Sequence, residues 1–269
     1  MLDTSFQPPR RRFRSLFLSD LHLGARGCRA DDILEFLKTV EAETVYLVGD
    51  ILDIWHPGKV HWGRAQDAIW EDLTRRQAEG ARVVYLPGNH DAALRAGGGG
   101  RIDRFECADS LTHVAADGTR YLVLHGDQCD ARIFRFHLMT RIGSRADAAL
   151  RAVDAWLRHL RPSMERGLFE LLIGAVNQLM MVGNGFEKRL ATLARAGDHD
   201  GVICGHFHKA ALRRAEGITY ANCGDWVDSR TALVETFDGS LKLLEWQAAP
   251  QTSAASVSAS GVRVGEVSQ

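Results

Sequence analysis

The chain has 269 residues, 45% hydrophobic and 25% charged, proportions that exclude an intrinsically disordered polypeptide and leave room for a sizeable core. With 33 basic against 34 acidic residues the formal net charge is −1, so no global field draws the protein to nucleic acid and no nucleic-acid partner is expected. The five cysteines (Cys28, Cys107, Cys129, Cys204, Cys223) lack a CxxC pair, and no N-terminal run combines a basic end, an apolar core and a cleavage site; a cytoplasmic location is expected.

In chain order, residues 1–13 read as a short basic tail. Apolar runs then alternate with amphipathic segments: a strand at 14–19, a helix at 31–41, a strand at 44–48, a helix at 64–79, a strand at 82–86, a loop at 97–100 and two more strands ending at Leu124. That order is α/β. From 130 to 197 apolar residues recur at helical spacing, broken at Pro162 and at Gly183-Asn184-Gly185, which predicts a helical insertion. After a run at 201–204, short alternating segments at 210–215, 218–222, 231–237 and 241–246 read as antiparallel strands, with Asp238-Gly239 as a hairpin turn. Residues 248–269, rich in Ser and Ala without periodicity, read as a disordered tail. One domain, 14–129 with 198–247, is therefore expected around an insertion at 130–197.

Five polar clusters punctuate this order: Asp20 with His22, Gly49-Asp50, Gly88-Asn89-His90-Asp91, His125-Gly126-Asp127 and Gly205-His206-Phe207-His208. Four of them close strand-like runs, and residues just past the carboxyl ends of strands converge on one edge of an α/β sheet, where such folds place their ligands. Singly, each cluster is an ordinary turn more often than a ligand pair; in this order, chance is a poor explanation. Asp20, His22, Asp50, Asn89, His125, His206 and His208 make a mixed oxygen and nitrogen donor set without thiolate, suited to Mn²⁺, Fe or Zn²⁺. Seven donors exceed one tetrahedral site but suit two divalent ions about 3.5–4 Å apart that share a carboxylate, for which Asp50 is the candidate. Kinked strand ends are expected at the Asp20/His22 and His206/His208 pairs, and turn-forming Gly24 permits the first.

Two ions so held lower the pKa of a bound water and neutralise phosphate oxygens, which makes phosphoester or pyrophosphate hydrolysis the expected reaction. His90, beside a donor, could protonate the leaving oxygen or steady developing charge, with Asp91 orienting it. Asn89 and His90 are accordingly the candidates for substrate contact.

In this order the clusters resemble those of the calcineurin-like metallophosphoesterases, over about residues 14–247 apart from the insertion. The resemblance implies two mixed β-sheets in a sandwich flanked by helices, with the insertion as a helical cap. It also implies two ion sites, Asp20, His22, Asp50 and His208 for one and Asp50, Asn89, His125 and His206 for the other. Within the family the chain is similar to the bacterial UDP-2,3-diacylglucosamine pyrophosphatases of lipid A synthesis, through Leu18-Ser19-Asp20-Leu21-His22-Leu23, the position of the insertion, and Gly224-Asp225-Trp226. That similarity implies water attack on the α-phosphorus of a nucleotide lipid, release of UMP and a lipid phosphate, Mn²⁺ as the usual ion, and a cap over the acyl chains. Close members carry Arg where this chain has His90, the general form of the motif. A soluble phosphodiesterase or nucleotide pyrophosphohydrolase without a lipid role is therefore the alternative, and a catalytically silent binding scaffold, against which the intact donor set argues, is the alternative of another class.

The insertion carries its own signals. Eight arginines between 132 and 166 outnumber Asp147, Asp154 and Glu165, a balance that favours an anionic headgroup or membrane phosphates. Residues 167–182 are apolar on nearly every side, and as a helix would be about 24 Å long, short for a membrane span. Packing within the cap, an acyl-chain groove or peripheral contact with the inner membrane, and a dimer contact all remain open for that segment.

Overall fold

The computed structural model describes residues 10–54, 60–96, 100–129 and 185–247, together with a strand at 261–264. The chain divides into two units, Met1–Asp127 with Ala191–Gln269, and Gln128–Leu190. Of the helical insertion expected at 130–197, only its end falls among the described residues, as helix α3 (Phe186–Ala196); the rest, including 167–182, lies outside them.

In the larger unit, strands β1 (Arg11–Leu18), β2 (Val40–Val48), β3 (Arg82–Leu86) and β4 (Glu106–Cys107) run parallel, and β10 (Thr231–Glu235), β11 (Leu241–Gln247) and β12 (Gly261–Val264) add to the β1 edge as antiparallel partners. The second sheet has five strands, in the order β5 (Ser110–Val114), β6 (Arg120–Leu124), β7 (Gly201–Cys204), β9 (Ile218–Asn222) and β8 (Ala211–Ala215). Both sheets are mixed, as expected. The late strands are not simply antiparallel, however: β9 pairs with β7 in parallel, and the β8–β9 hairpin joins one sheet while β10 and β11 join the other.

Alternation along the strands explains the layering. Val45 and Leu47 of β2, Val83 and Tyr85 of β3, and Ala232 and Val234 of β10 face the core that the helices cover. Tyr46, Val48, Val84, Leu86 and Leu233 face the other way, onto Tyr121, Val123, Ile203, Ala221 and Cys223 of the second sheet. Both faces of β1 to β3 are thus covered, which is why their sequences read as nearly continuous apolar runs. Each Leu, Ile, Val or Phe so enclosed contributes about 1.5–3 kcal/mol.

Helix α1 (Ala30–Thr39) buries Ala30, Ile33, Phe36 and Leu37, and α2 (Arg64–Ala78) buries Ile69, Trp70, Leu73 and Arg76, the stripes expected of surface helices. Strand β1 takes up the last three residues of the expected basic tail, because Arg11 to Phe13 pair with Val40 to Ala42. Helix α1 stops at Thr39 rather than continuing to residue 41. Buried Arg76 accounts for that end: held by Asp72, its Nη2 donates to the carbonyls of Leu37 (2.5 Å) and Val40 (2.9 Å), which a helix terminus leaves without partners. The expectation of a structureless C-terminal tail is corrected at residues 261–264, whose backbone pairs with β11 from Leu244 to Gln247. No described helix is long and apolar enough to cross a membrane.

Candidate metal centre

All five polar clusters, one more than expected, follow strands: β1, β2, β3, β6 and β7 each run directly into one. The strand ends are kinked as expected, by a device that sequence does not display. Asp20 (φ 54°), His22 (φ 47°), Asp50 (φ 52°), His206 (φ 78°) and His208 (φ 56°) all adopt left-handed backbone, which costs about 1–2 kcal/mol at each non-glycine position. Strain of this kind persists where surrounding structure fixes it. Here Asp20 N–H donates to Gly49 O (3.0 Å), His22 N–H to Asp50 O (2.9 Å), Gly205 N–H to His125 O (3.0 Å) and Trp226 N–H to Asp20 O (3.1 Å). Glycines make the approach possible: a Cβ on Gly49 would overlap the His125 ring, one on Gly88 the Asp50 carboxylate, and one on Gly205 the Ser19 hydroxyl and the Asp20 carboxylate.

The structure brings six of the seven proposed donors into two groups whose donor atoms lie within 4.8 Å of one another, Asp20 with His22 and His208, and Asp50 with His125 and His206. In the first, Asp20 Oδ1 is 3.2 Å from His208 Nε2 and 3.9 Å from His22 Nε2, and the two Nε2 atoms are 3.2 Å apart. Donors about 2.1 Å from one ion sit about 3.0–3.4 Å from each other, the scale of these spacings. In the second, His125 Nε2 is 3.4 Å from Asp50 Oδ2. The seventh donor, Asn89, precedes His90, whose N–H binds the other Asp50 oxygen at 2.8 Å.

Hydrogen bonds occupy the far side of Asp20 and of His125. Asp20 Oδ2 accepts from Ser19 Oγ and from His206 N–H, and His125 Nδ1 donates to Val48 O at 3.0 Å, which fixes the ring with Nε2 turned toward the other donors. The facing atoms Asp20 Oδ1, Asn89 Oδ1 and His125 Nε2 are buried without a hydrogen bond. Buried polar atoms so left are costly, and a divalent cation is the group that would satisfy two acceptor oxygens and an imidazole nitrogen together. The donor set fits two such ions.

The electrostatics agree with a tightly coupled set. Burial pushes the Asp20 carboxyl up, but the charges of His208 and His125 outweigh it and hold it at about 2. Burial likewise opposes ionisation of Asp50, which His125 holds well below the usual carboxylate range. The imidazoles of His125 and His208 resist burial in turn and are drawn up to about 10 and about 9 by Asp50 and Asp20. His22 is driven down to about 4 by burial and by neighbouring His90.

One expected role moves to another residue. Asp91 does not orient His90; its carboxylate accepts from the N–H groups of Ile51, Leu52 and Gly88 and from Tyr85 Oη, and so ties the Asp50 turn to the Asn89 turn. Asp53 takes the part instead, its Oδ1 lying 2.8 Å from His90 Nδ1. That bond, working against burial, raises the His90 pKa. His22, Asp53 and His90 also form a third group of metal-type donors, with the His22 and His90 rings edge-on at 4.6 Å. Asp53 carried no signal of its own in the sequence, except that it follows Asp50 by three residues. Asn222 is a second residue unforeseen there: its Nδ2 donates to Gly205 O at 2.8 Å and steadies the His206 turn.

The chain is similar to known proteins. A family model described as calcineurin-like phosphoesterase matches residues 13–210. The chain is 24% identical over 227 residues to a UDP-2,3-diacylglucosamine hydrolase of Neisseria gonorrhoeae, covering 79% of this chain and 89% of that protein. It is also 24% identical over 223 residues to a protein of the same name from Neisseria meningitidis serogroup C, covering 78% and 88%. Among solved structures, Vacuolar Protein Sorting 29 from Cryptosporidium parvum aligns over 95% of this chain and 97% of its own, with 12% identity and a TM-score of 0.48.

Proposed function

Since the chain belongs to the calcineurin-like phosphoesterase family, and is thus a metal-dependent hydrolase of phosphoester or pyrophosphate bonds, we propose that its substrate is UDP-2,3-diacylglucosamine or a related nucleotide lipid, cleaved at the pyrophosphate to UMP and a lipid phosphate. The observation that carries the chemistry is the convergence of metal-type donors from the strand ends, among them the buried, hydrogen-bond-orphaned atoms of Asp20, Asn89 and His125. The names of the relatives matched over most of the chain, with the arginine-rich and apolar insertion, support the lipid substrate.

In this reading Asp20, His22, Asp50 and His208 hold one divalent ion and Asp50, Asn89, His125 and His206 hold the other, with Mn²⁺ proposed and Fe or Zn²⁺ compatible with the same donors. When bound, such ions supply a nucleophile at neutral pH and offset the charge of phosphate oxygens. His90 and Asn89 face the substrate. With Nδ1 engaged by Asp53, His90 presents Nε2, 3.9 Å from Asp50 Oδ2, toward the donors, where it can hold a proton for the leaving oxygen. Asp53 fixes the ring and stabilises its protonated form. The insertion would cover the acyl chains and touch the cytoplasmic face of the inner membrane from outside the bilayer.

Incubation of the Mn²⁺-loaded protein with purified UDP-2,3-diacylglucosamine and, separately, with a soluble UDP-sugar tests the assignment. UMP and a lipid phosphate are expected from the first and little turnover from the second; turnover of the soluble compound alone would move the assignment to a soluble nucleotide pyrophosphohydrolase. For the membrane contact, Leu172→Glu or Met181→Glu should reduce co-sedimentation with anionic liposomes and activity on acylated substrate.

A further inference from the structure

The proposed donors of the second ion come from both sheets: Asn89 follows β3 in the seven-stranded sheet, and His125 follows β6 in the five-stranded one. Asp91 joins the Asn89 turn to the Asp50 turn, but both belong to the first sheet. Beside the His125 bond to Val48 O, Arg95 connects the Asn89 and His125 turns directly. Its Nη2 lies 2.9 Å from each carboxylate oxygen of Asp127, two residues after His125, and 2.9 Å from the carbonyl of Pro87, two residues before Asn89. Its Nε lies 3.5 Å from the exposed carboxylate of Asp109. Arg95 is 27% exposed and Asp127 13%, so solvent screens the central pair only in part.

We propose that Arg95 is a positioning residue whose bond to Asp127 and Pro87 sets the spacing of Asn89 and His125, and through it the affinity of the second ion. The inference rests on the two-ion reading above. All three short contacts fall on Nη2 while Nε lies toward Asp109, so the planar guanidinium is held in one orientation; the ammonium of lysine, on a shorter and flexible stem, would keep the charge pair without that orientation. A surface ion pair that only stabilises the fold would not discriminate between the two ions.

Calorimetric titration of the metal-stripped, full-length protein with Mn²⁺ separates these outcomes. The parent chain should take up two equivalents. In Arg95→Gln and in Asp127→Asn one equivalent should weaken about 10–100-fold while the other keeps its affinity, and the double variant should be no weaker than either single one, as expected for two ends of one bond. Arg95→Lys, the mildest change, should recover part of the loss. A folded Arg95→Gln protein that binds both equivalents as the parent does, or loses both equally, overturns the clamp alone. Uptake of no Mn²⁺ by the parent chain overturns the two-ion reading, and the clamp with it.

Discussion

Each imidazole in the centre has two nitrogens, and its role depends on which one the protein has already engaged. His125 spends Nδ1 on the Val48 carbonyl, and His90 spends the same atom on Asp53. His90→Ala should therefore lower kcat by about 10²–10⁴-fold while Mn²⁺ content, measured by elemental analysis, stays at the parent level. Asp53→Asn should lower kcat by about 10–100-fold with KM little changed, since it loosens the ring without removing it. Loss of metal from either variant would instead make the third donor group an ion site. Asp50→Ala, which removes the carboxylate common to both proposed sites, should abolish activity and metal uptake together. The six donors that the structure brings together, and Asn89 beside them, stand out in the sequence as candidates because they sit in dense clusters beside glycines or other donors. Asp53 does not, because it stands among Ile51, Leu52 and Ile54, and its role appears only once the loops pair, Asp53 N–H to Leu23 O and Ile54 N–H to His90 O.

At the level of elements, the strand ends do more than deliver side chains. Five of their non-glycine residues are left-handed, so local preference opposes the conformation the centre needs, and the loop-to-loop hydrogen bonds hold it. The glycines are the weak points of that arrangement. Gly88→Ala should force the Asn89 turn off the Asp50 carboxylate, at about 1–3 kcal/mol of stability and with loss of bound Mn²⁺, read by thermal melting and metal analysis on one preparation. Apolar periodicity located nearly every described strand and helix. It failed at ends decided by distant partners, as where Arg76 of α2 terminates α1, and it missed β12, whose Val262-Arg263-Val264 alternation is too short to stand out and which pairs with the edge that β11 presents. Periodicity is equally silent on strand direction, which is why the parallel β7–β9 pairing could not be read from it.

Across the whole molecule, a second polar network joins the sheets. Buried Glu235 of β10 accepts from Ser15 of β1, from Arg14 and from the Ala116 N–H, and pairs with His113 of β5, which in turn meets Tyr46 Oη at 3.0 Å. Burial pushes the Glu235 carboxyl up, but the bonds from His113 and Ser15 prevail and hold it at about 2, against an ordinary 4.5. The unfolded chain thus takes up the proton first. The contribution to folding, about 3 kcal/mol, is complete above pH 4.5 and is lost as pH falls through 2. Glu235→Gln should lower Tm at neutral pH and flatten the fall of Tm over that acid window. The packing of one sheet on the other was available in the sequence only through family resemblance, since alternation shows that a strand has two covered faces and not what covers them.

The spread of the donors along the chain also bears on how the protein is made. Neither donor group is complete without a histidine from the turn after β7, His208 for one and His206 for the other, while the remaining donors lie between residues 20 and 125. At about 5–20 residues per second, a ribosome needs roughly 10–40 s to travel from the first of these donors to the last. Through that interval the nascent chain carries only partial sites. Selection of an ion at either proposed site would then wait until His206 and His208 have joined the folded chain.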